Sequence, residues 1–148
     1  MDRKKFIKTC GFTCAGAIGV PFLLDGCSAS KILNGKIAGD DLVVAVTDFE
    51  NTKQGQGSFK KYIIVQHEIL QYPVCVYRFS VNEYTALWMR CTHQGTELQV
   101  FGDRLQCPAH GSEFTNKGGI QSGPADTPLR RFPVAVENGQ IIISLKAV

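Results

Sequence analysis

Two short stretches carry most of the chemistry this chain could do. Cys91-Thr92-His93-Gln94-Gly95 and Cys107-Pro108-Ala109-His110-Gly111-Ser112 each offer one thiol and one imidazole. The chain has only 6 cysteines and 3 histidines, so two of each in these stretches is not a scattered core pattern. Thiolates and imidazoles together bind soft or borderline metal ions. Two Cys and two His would serve a closed tetrahedral zinc site. Zinc signatures, however, pair Cys with Cys and His with His, whereas here each stretch mixes the two and continues into glycine. An iron–sulfur centre uses the same four residues differently: two thiolates hold one iron and two imidazoles the other.

The spacing tells how the four could meet. One residue separates Cys91 from His93, and two separate Cys107 from His110. Residues 94–106 lie between His93 and Cys107, enough for one hairpin. Gly102-Asp103, between Leu98–Phe101 and Arg104–Gln106, supplies its turn. Gly95 and Gly111 allow positive φ where backbone must approach metal-bound sulfur. Imidazoles in place of two thiolates leave such a centre less negative and easier to reduce. Its expected range is about −150 to +300 mV, against about −400 mV for all-cysteine plant-type clusters. A bound cation favours the deprotonated form of its ligand, so the midpoint is expected to fall as pH rises.

The elements that must position these loops read as strands. Leu42–Val46, Tyr62–Val65 and Val74–Phe79 are apolar, β-branched runs, and Tyr84–Met89 leads straight into Cys91. Phe132–Val136 and Ile141–Leu145 flank Asn138-Gly139, a strong hairpin signal. No stretch after residue 30 sustains a 3.6-residue period. The fold class expected is all-β: an antiparallel β-sandwich with a small cluster-binding subdomain. His67 reads as an exposed or satisfied structural histidine. Cys75 reads as a buried inert thiol, Trp88 as core packing, and Arg130-Arg131 as a solvated edge pair.

With those residues in view, the chain resembles the Rieske [2Fe–2S] family. CTHQG and CPAHGS match its C-x-H-x-G and C-x-x-H-G-S patterns in full, and the likeness runs from about Tyr72 to Leu145. The resemblance implies one [2Fe–2S] cluster, with Cys91 and Cys107 on the buried iron and His93 and His110 on the outer one. Gly123-Pro124-Ala125, followed by Pro128 and Leu129, resembles the proline loop that covers the cluster in the quinol-oxidising branch. Ser112 matches a serine that bonds to cluster sulfur in that branch. Three positions depart from the branch. Thr96 and Ala109 stand where its inter-loop disulfide would be, and Phe114 stands where a tyrosine would bond a ligand sulfur. Donors to sulfur stabilise the reduced state, so the expected midpoint lies below the top of the range.

The rest of the sequence bounds location and partners. Residues 1–26 have the order of an export signal: Arg3, Lys4, Lys5 and Lys8, then an apolar stretch from Phe12 to Leu24 broken by Gly16, Gly19 and Pro21. That stretch is shorter than the roughly 20 residues a spanning helix needs. Arg3-Lys4-Lys5-Phe6-Ile7-Lys8 resembles a twin-arginine signal with lysine for the second arginine. Leu24-Asp25-Gly26-Cys27 resembles a lipobox, which would make Cys27 a lipidated N-terminus and tether the domain on the periplasmic side of a membrane. Residues 27–40 read as a linker and 41–148 as the Rieske domain. Formal net charge is +3, and residues 1–26 contribute four positive and two negative charges. No basic field remains for nucleic acid. The reading is a membrane-tethered electron-transfer subunit of a respiratory or periplasmic oxidoreductase, a component rather than a catalyst alone. Its redox partner would be a cytochrome b-type or molybdenum enzyme subunit. The alternatives are a soluble Rieske ferredoxin donating to an oxygenase, and a non-redox metal-binding module.

Overall fold

The computed structural model describes residues 32–51 and 57–146. Residues 1–26, read above as an export signal, and Cys27, read as a lipidation site, lie outside them. The described residues form thirteen short strands in three sheets, and no helix among them is long and apolar enough to cross a membrane.

The middle layer is a five-stranded sheet: β1 (Ile32–Asn34), β4 (Tyr62–Gln66), β5 (Val74–Arg78), β6 (Tyr84–Trp88) and β11 (Arg131–Phe132). On one side lies a sheet of β2 (Lys36–Ala38), β3 (Asp41–Ala45), β12 (Val134–Glu137) and β13 (Gln140–Ser144). On the other lies the small sheet of β7 (Gln99–Phe101), β8 (Arg104–Gln106), β9 (Glu113–Thr115) and β10 (Ile120–Ser122).

The near-continuous apolar runs of β4, β5 and β6 follow from this layering, because side chains alternate between two buried faces. Ile63, Val65, Val74, Val76, Tyr84 and Ala86 face one core, with Leu42, Val44, Ile141 and Ile143 opposite. Ile64, Cys75, Tyr77 and Leu87 face the other, with Leu98, Leu105, Phe114 and both cluster-loop cysteines. Each aliphatic side chain buried in this way contributes about 1.5–3 kcal/mol.

The all-β class stands, with two differences from the sequence reading. The segment read as a linker up to residue 40 folds from Ile32 onward: β1 pairs with β4 and β2 pairs with β3. The folded unit therefore begins before residue 41. The β1–β4 pair is also parallel, so the sandwich is not purely antiparallel. Gly35 lets the chain pass from one sheet to the other between β1 and β2. A Cβ there would run into Leu42 Cδ1 and stand 2.7 Å from Val65 Cγ1. Pro133 makes the same change of sheet near the end. It splits the expected strand 132–136 into β11 and β12, because proline cannot continue a ladder.

Candidate metal centre

The two motif stretches fold into loops of one design. Cys91 N–H donates to Thr96 O at 2.8 Å, and Gly95 N–H donates back to Cys91 O at 2.8 Å. In the second loop Cys107 N–H donates to Ser112 O at 2.8 Å, and Gly111 N–H to Cys107 O at 3.0 Å. Gly95 and Gly111, each four residues past its cysteine, have φ of 75° and 77°. This left-handed region is open to glycine without steric cost. The hairpin β7–β8, turning at Gly102-Asp103, joins the loops and sets them side by side.

All four expected ligands meet there. Cys91 and Cys107 are each 1% exposed, at the edge of the second core. His93 and His110 are exposed, and their rings meet edge to face with centroids 5.0 Å apart. Among the described residues no group of three or more His, Cys, Asp or Glu is placed to hold one metal ion. The four side chains form two pairs instead, thiols inside and imidazoles outside.

The Cys107 thiol is held below its ordinary range. Burial pushes it up, but the N–H groups of His110 and Ala109, with the side chains of Cys91 and Thr96, more than offset this. A thiol poised toward thiolate is what an iron ligand requires. Among the described residues Cys75, Cys91 and Cys107 are all free thiols. Thr96 and Ala109, which stand at the two staple positions, both help hold the Cys107 thiol low instead.

A lid loop, residues 123–128, holds both cluster loops. Ser112 is fully buried, and its Oγ accepts the Ala125 N–H at 3.0 Å. That leaves the Ser112 hydroxyl hydrogen free to donate, as a bond to cluster sulfur requires. Thr92, between Cys91 and His93, donates its hydroxyl to Thr127 O at 2.6 Å. The lid is tied at its far end by Leu129 N–H to Gly118 O. Phe114 is buried beneath the site and offers no hydroxyl.

Sequence reasoning missed Thr92, whose hydroxyl sits inside the motif but whose partner lies 35 residues on. It also missed Tyr72, whose hydroxyl donates to Gly95 O at 2.6 Å, and no local signal marks that contact. Cys75 is fully buried as expected, and His67 Nδ1 accepts the Ile69 N–H in a structural role. Trp88 is only half-buried, so core packing is part of its role.

The Rieske [2Fe-2S] domain profile matches residues 43–133. The chain belongs to this family.

The relatives include proteins of more than one kind. The cytochrome b6-f complex iron-sulfur subunit of Chlorobaculum tepidum is 38% identical over 63 residues, 41% of this chain and 35% of that one. Subunit 1 of Synechocystis sp. is 43% identical over 56 residues, 36% of this chain and 32% of that one. The chain thus spans about a third of the length of these subunits. Ferredoxin CarAc of Metapseudomonas resinovorans is 33% identical over 76 residues, 49% of this chain and 70% of that one. Among solved structures, the complex of reduced oxygenase and oxidized ferredoxin in carbazole 1,9a-dioxygenase aligns with TM-score 0.53 and 26% identity. That alignment covers 72% of this chain and 94% of the other. The plasma membrane Rieske protein PetC3 of Synechocystis PCC 6803 aligns at TM-score 0.50 and 24% identity over 57% of this chain and 86% of that one, a likeness of fold.

The residues fit the cluster the family carries, one per chain. The buried thiols of Cys91 and Cys107 would hold one iron and the exposed imidazoles of His93 and His110 the other. When bound, the cluster takes up and gives back a single electron. The protein's part is to exclude water from the cysteine side, to leave the imidazoles open to a partner, and to aim Ser112 and backbone N–H groups at sulfur.

Proposed function

We propose that this Rieske domain is an exported, membrane-tethered electron-transfer subunit of a respiratory or periplasmic oxidoreductase, on the quinol-oxidising side of the family. The observation that carries the reading is the Ser112–Ala125 bond, which seats the Gly123–Ala125 lid beside an exposed imidazole pair. The b6-f subunit relatives and the signal-like residues 1–26 ending at Cys27 support it. The partner on this reading is a cytochrome b-type or molybdenum enzyme subunit.

Expression of the full chain in a bacterial host, with fatty-acid labelling and membrane fractionation, tests the tether. Label and membrane recovery should both be lost in Cys27→Ala. Unlabelled protein in the soluble cell fraction would sink the tether. Pull-down from detergent-solubilised membranes then identifies the partner. Protein-film voltammetry tests the centre: the midpoint should lie between about −200 and +250 mV.

A second reading has its own support. The chain spans more of ferredoxin CarAc than of any b6-f subunit named above, which favours a soluble donor to an oxygenase. Co-purification with an oxygenase from the soluble fraction would select it.

A further inference from the structure

Beside the first cluster loop lies a group of residues that hold no metal. Trp88, the only tryptophan, ends β6 three residues before Cys91. Tyr72 meets its ring edge-on, with centroids 5.4 Å apart at 90°. The Tyr72 hydroxyl donates to Gly95 O at 2.6 Å, and Gly95 N–H donates to Cys91 O at 2.8 Å. A chain of contacts therefore runs from a half-buried indole to a cysteine ligand, and it does not pass through the imidazoles.

Two guanidinium groups stand over that indole. Arg90 Cζ is 5.6 Å and Arg130 Cζ 5.8 Å from the Trp88 ring centroid. Both lie within cation–π range. Arg130 is fixed further by the Phe132 ring and by donation to Leu145 O and Lys146 O at 3.3 and 3.4 Å. Arg90 lies over Gly95, its nitrogens 3.4 Å from where a Cβ would stand. Both arginines are exposed, and among the described residues neither is ion-paired with a carboxylate. Glu97, opposite Arg90 in a β-bridge, lines a polar cleft with Glu68 instead. Held guanidinium groups with spare N–H donors suit carboxylates, because the fork matches two oxygens at once.

We propose that Arg90, Trp88 and Arg130 form a docking face for an acidic one-electron carrier protein, and that Trp88, Tyr72 and Gly95 lead from that face to Cys91. The proposal rests on the Rieske reading and adds a second port to it. The carrier is reduced by one electron as the metal centre is oxidised by one, and no covalent bond forms or breaks. A donor at the imidazoles and an acceptor at Trp88 could then be served together, with neither displacing the other.

The test uses the full chain with its cluster and plastocyanin, an acidic blue-copper protein, as the probe. Hydroxyl-radical footprinting with mass spectrometry should show Trp88 and Tyr72 protected by plastocyanin, and Arg90→Gln with Arg130→Gln should abolish the protection. Stopped-flow bleaching of the blue colour should slow by roughly tenfold or more in that double variant at low salt, with the cluster EPR signal unchanged. Added salt should erase the difference. Tyr72→Phe should slow bleaching while leaving the protection of Trp88 intact. Protection confined to Pro108, His93 and His110 would overturn the proposal, as would an unchanged rate in the double variant. Protection of Trp88 by anionic phospholipid vesicles but not by plastocyanin would overturn it too. A wild-type chain without the EPR signal would defeat the Rieske reading, a separate failure.

Discussion

The two cores on either side of the middle sheet are closed in different ways. The first, around Leu42, Phe49 and Ile143, lies between two hydrogen-bonded sheets whose registers are continuous across β12, β13 and β3. The second ends in Cys91 and Cys107, with loops rather than a sheet beyond them. Side chain–backbone bonds hold those loops in place: Ser112 with Ala125, Thr92 with Thr127, and Tyr72 with Gly95. Hydrocarbon burial alone can close the first core, whereas the second also depends on a few directed bonds and on the metal it would carry. The fold and the redox site should therefore fail separately.

The largest effect should come from the first core. Leu42→Ala, at a fully buried site, should lose about 2–5 kcal/mol in urea denaturation, and the cluster should be lost with the fold. Cys107→Ser should remove colour and EPR signal while the apo-protein keeps the urea midpoint of wild-type apo-protein. If Cys107→Ser unfolds as readily as Leu42→Ala, the comparison breaks. Gly35→Ala comes next. Its Cβ would press on Leu42 and Val65, so a loss of about 1–3 kcal/mol is expected, with the spectrum of any folded fraction unchanged.

Smaller effects should sharpen the second core. Ser112→Ala strands the Ala125 N–H and should cost about 1–3 kcal/mol locally. Cluster loss to a chelator should quicken while the urea midpoint of the apo-protein stays put, and the midpoint potential should fall. Thr92→Val should act in the same direction, by about 1 kcal/mol, without lowering the potential as far. The last effect is alkaline. Burial pushes the Cys75 thiol well above its ordinary value of 9.0, and the nearby Tyr77 hydroxyl offsets only part of this. The unfolded chain sheds that proton near the ordinary value, and the folded chain does not. Stability is therefore complete below about pH 9 and falls above it, by about 1.4 kcal/mol per pH unit. Urea denaturation from pH 8 to 10.5 should show this slope shallower in Cys75→Ala.

Legibility followed the same division. β4 to β6 were readable because apolar residues buried on both faces leave a dense local signal, and β3 because its buried residues alternate within an apolar run. The Asn138-Gly139 turn was readable because its residues, at φ 49° and 74°, need conformations few residues tolerate. The ligand pairs were readable because metal chemistry restricts both residue type and spacing. β1 and β2 were not, since each is three residues long and mostly exposed, and pairing with β4 and β3 makes them strands. β9 and β10 carry polar residues and extend the small sheet only once the loops are closed. Thr92 and Tyr72 escaped for another reason: a hydroxyl that bonds a carbonyl 35 or 23 residues away leaves no periodic trace.

The parallel pairing of β1 with β4 has a mechanical side. A pull on the chain ahead of Ile32, directed along β1, loads the bonds at Ile32–Ile64, Leu33–Val65 and Asn34–Gln66 in shear, together rather than one after another. Gly35 then passes any residual tension into β2 and the outer sheet. A domain gripped in this way should withstand tugging at its N-terminal side better than at the edge strand β10. Single-molecule pulling from residue 28 and from residue 121 would measure the two rupture forces.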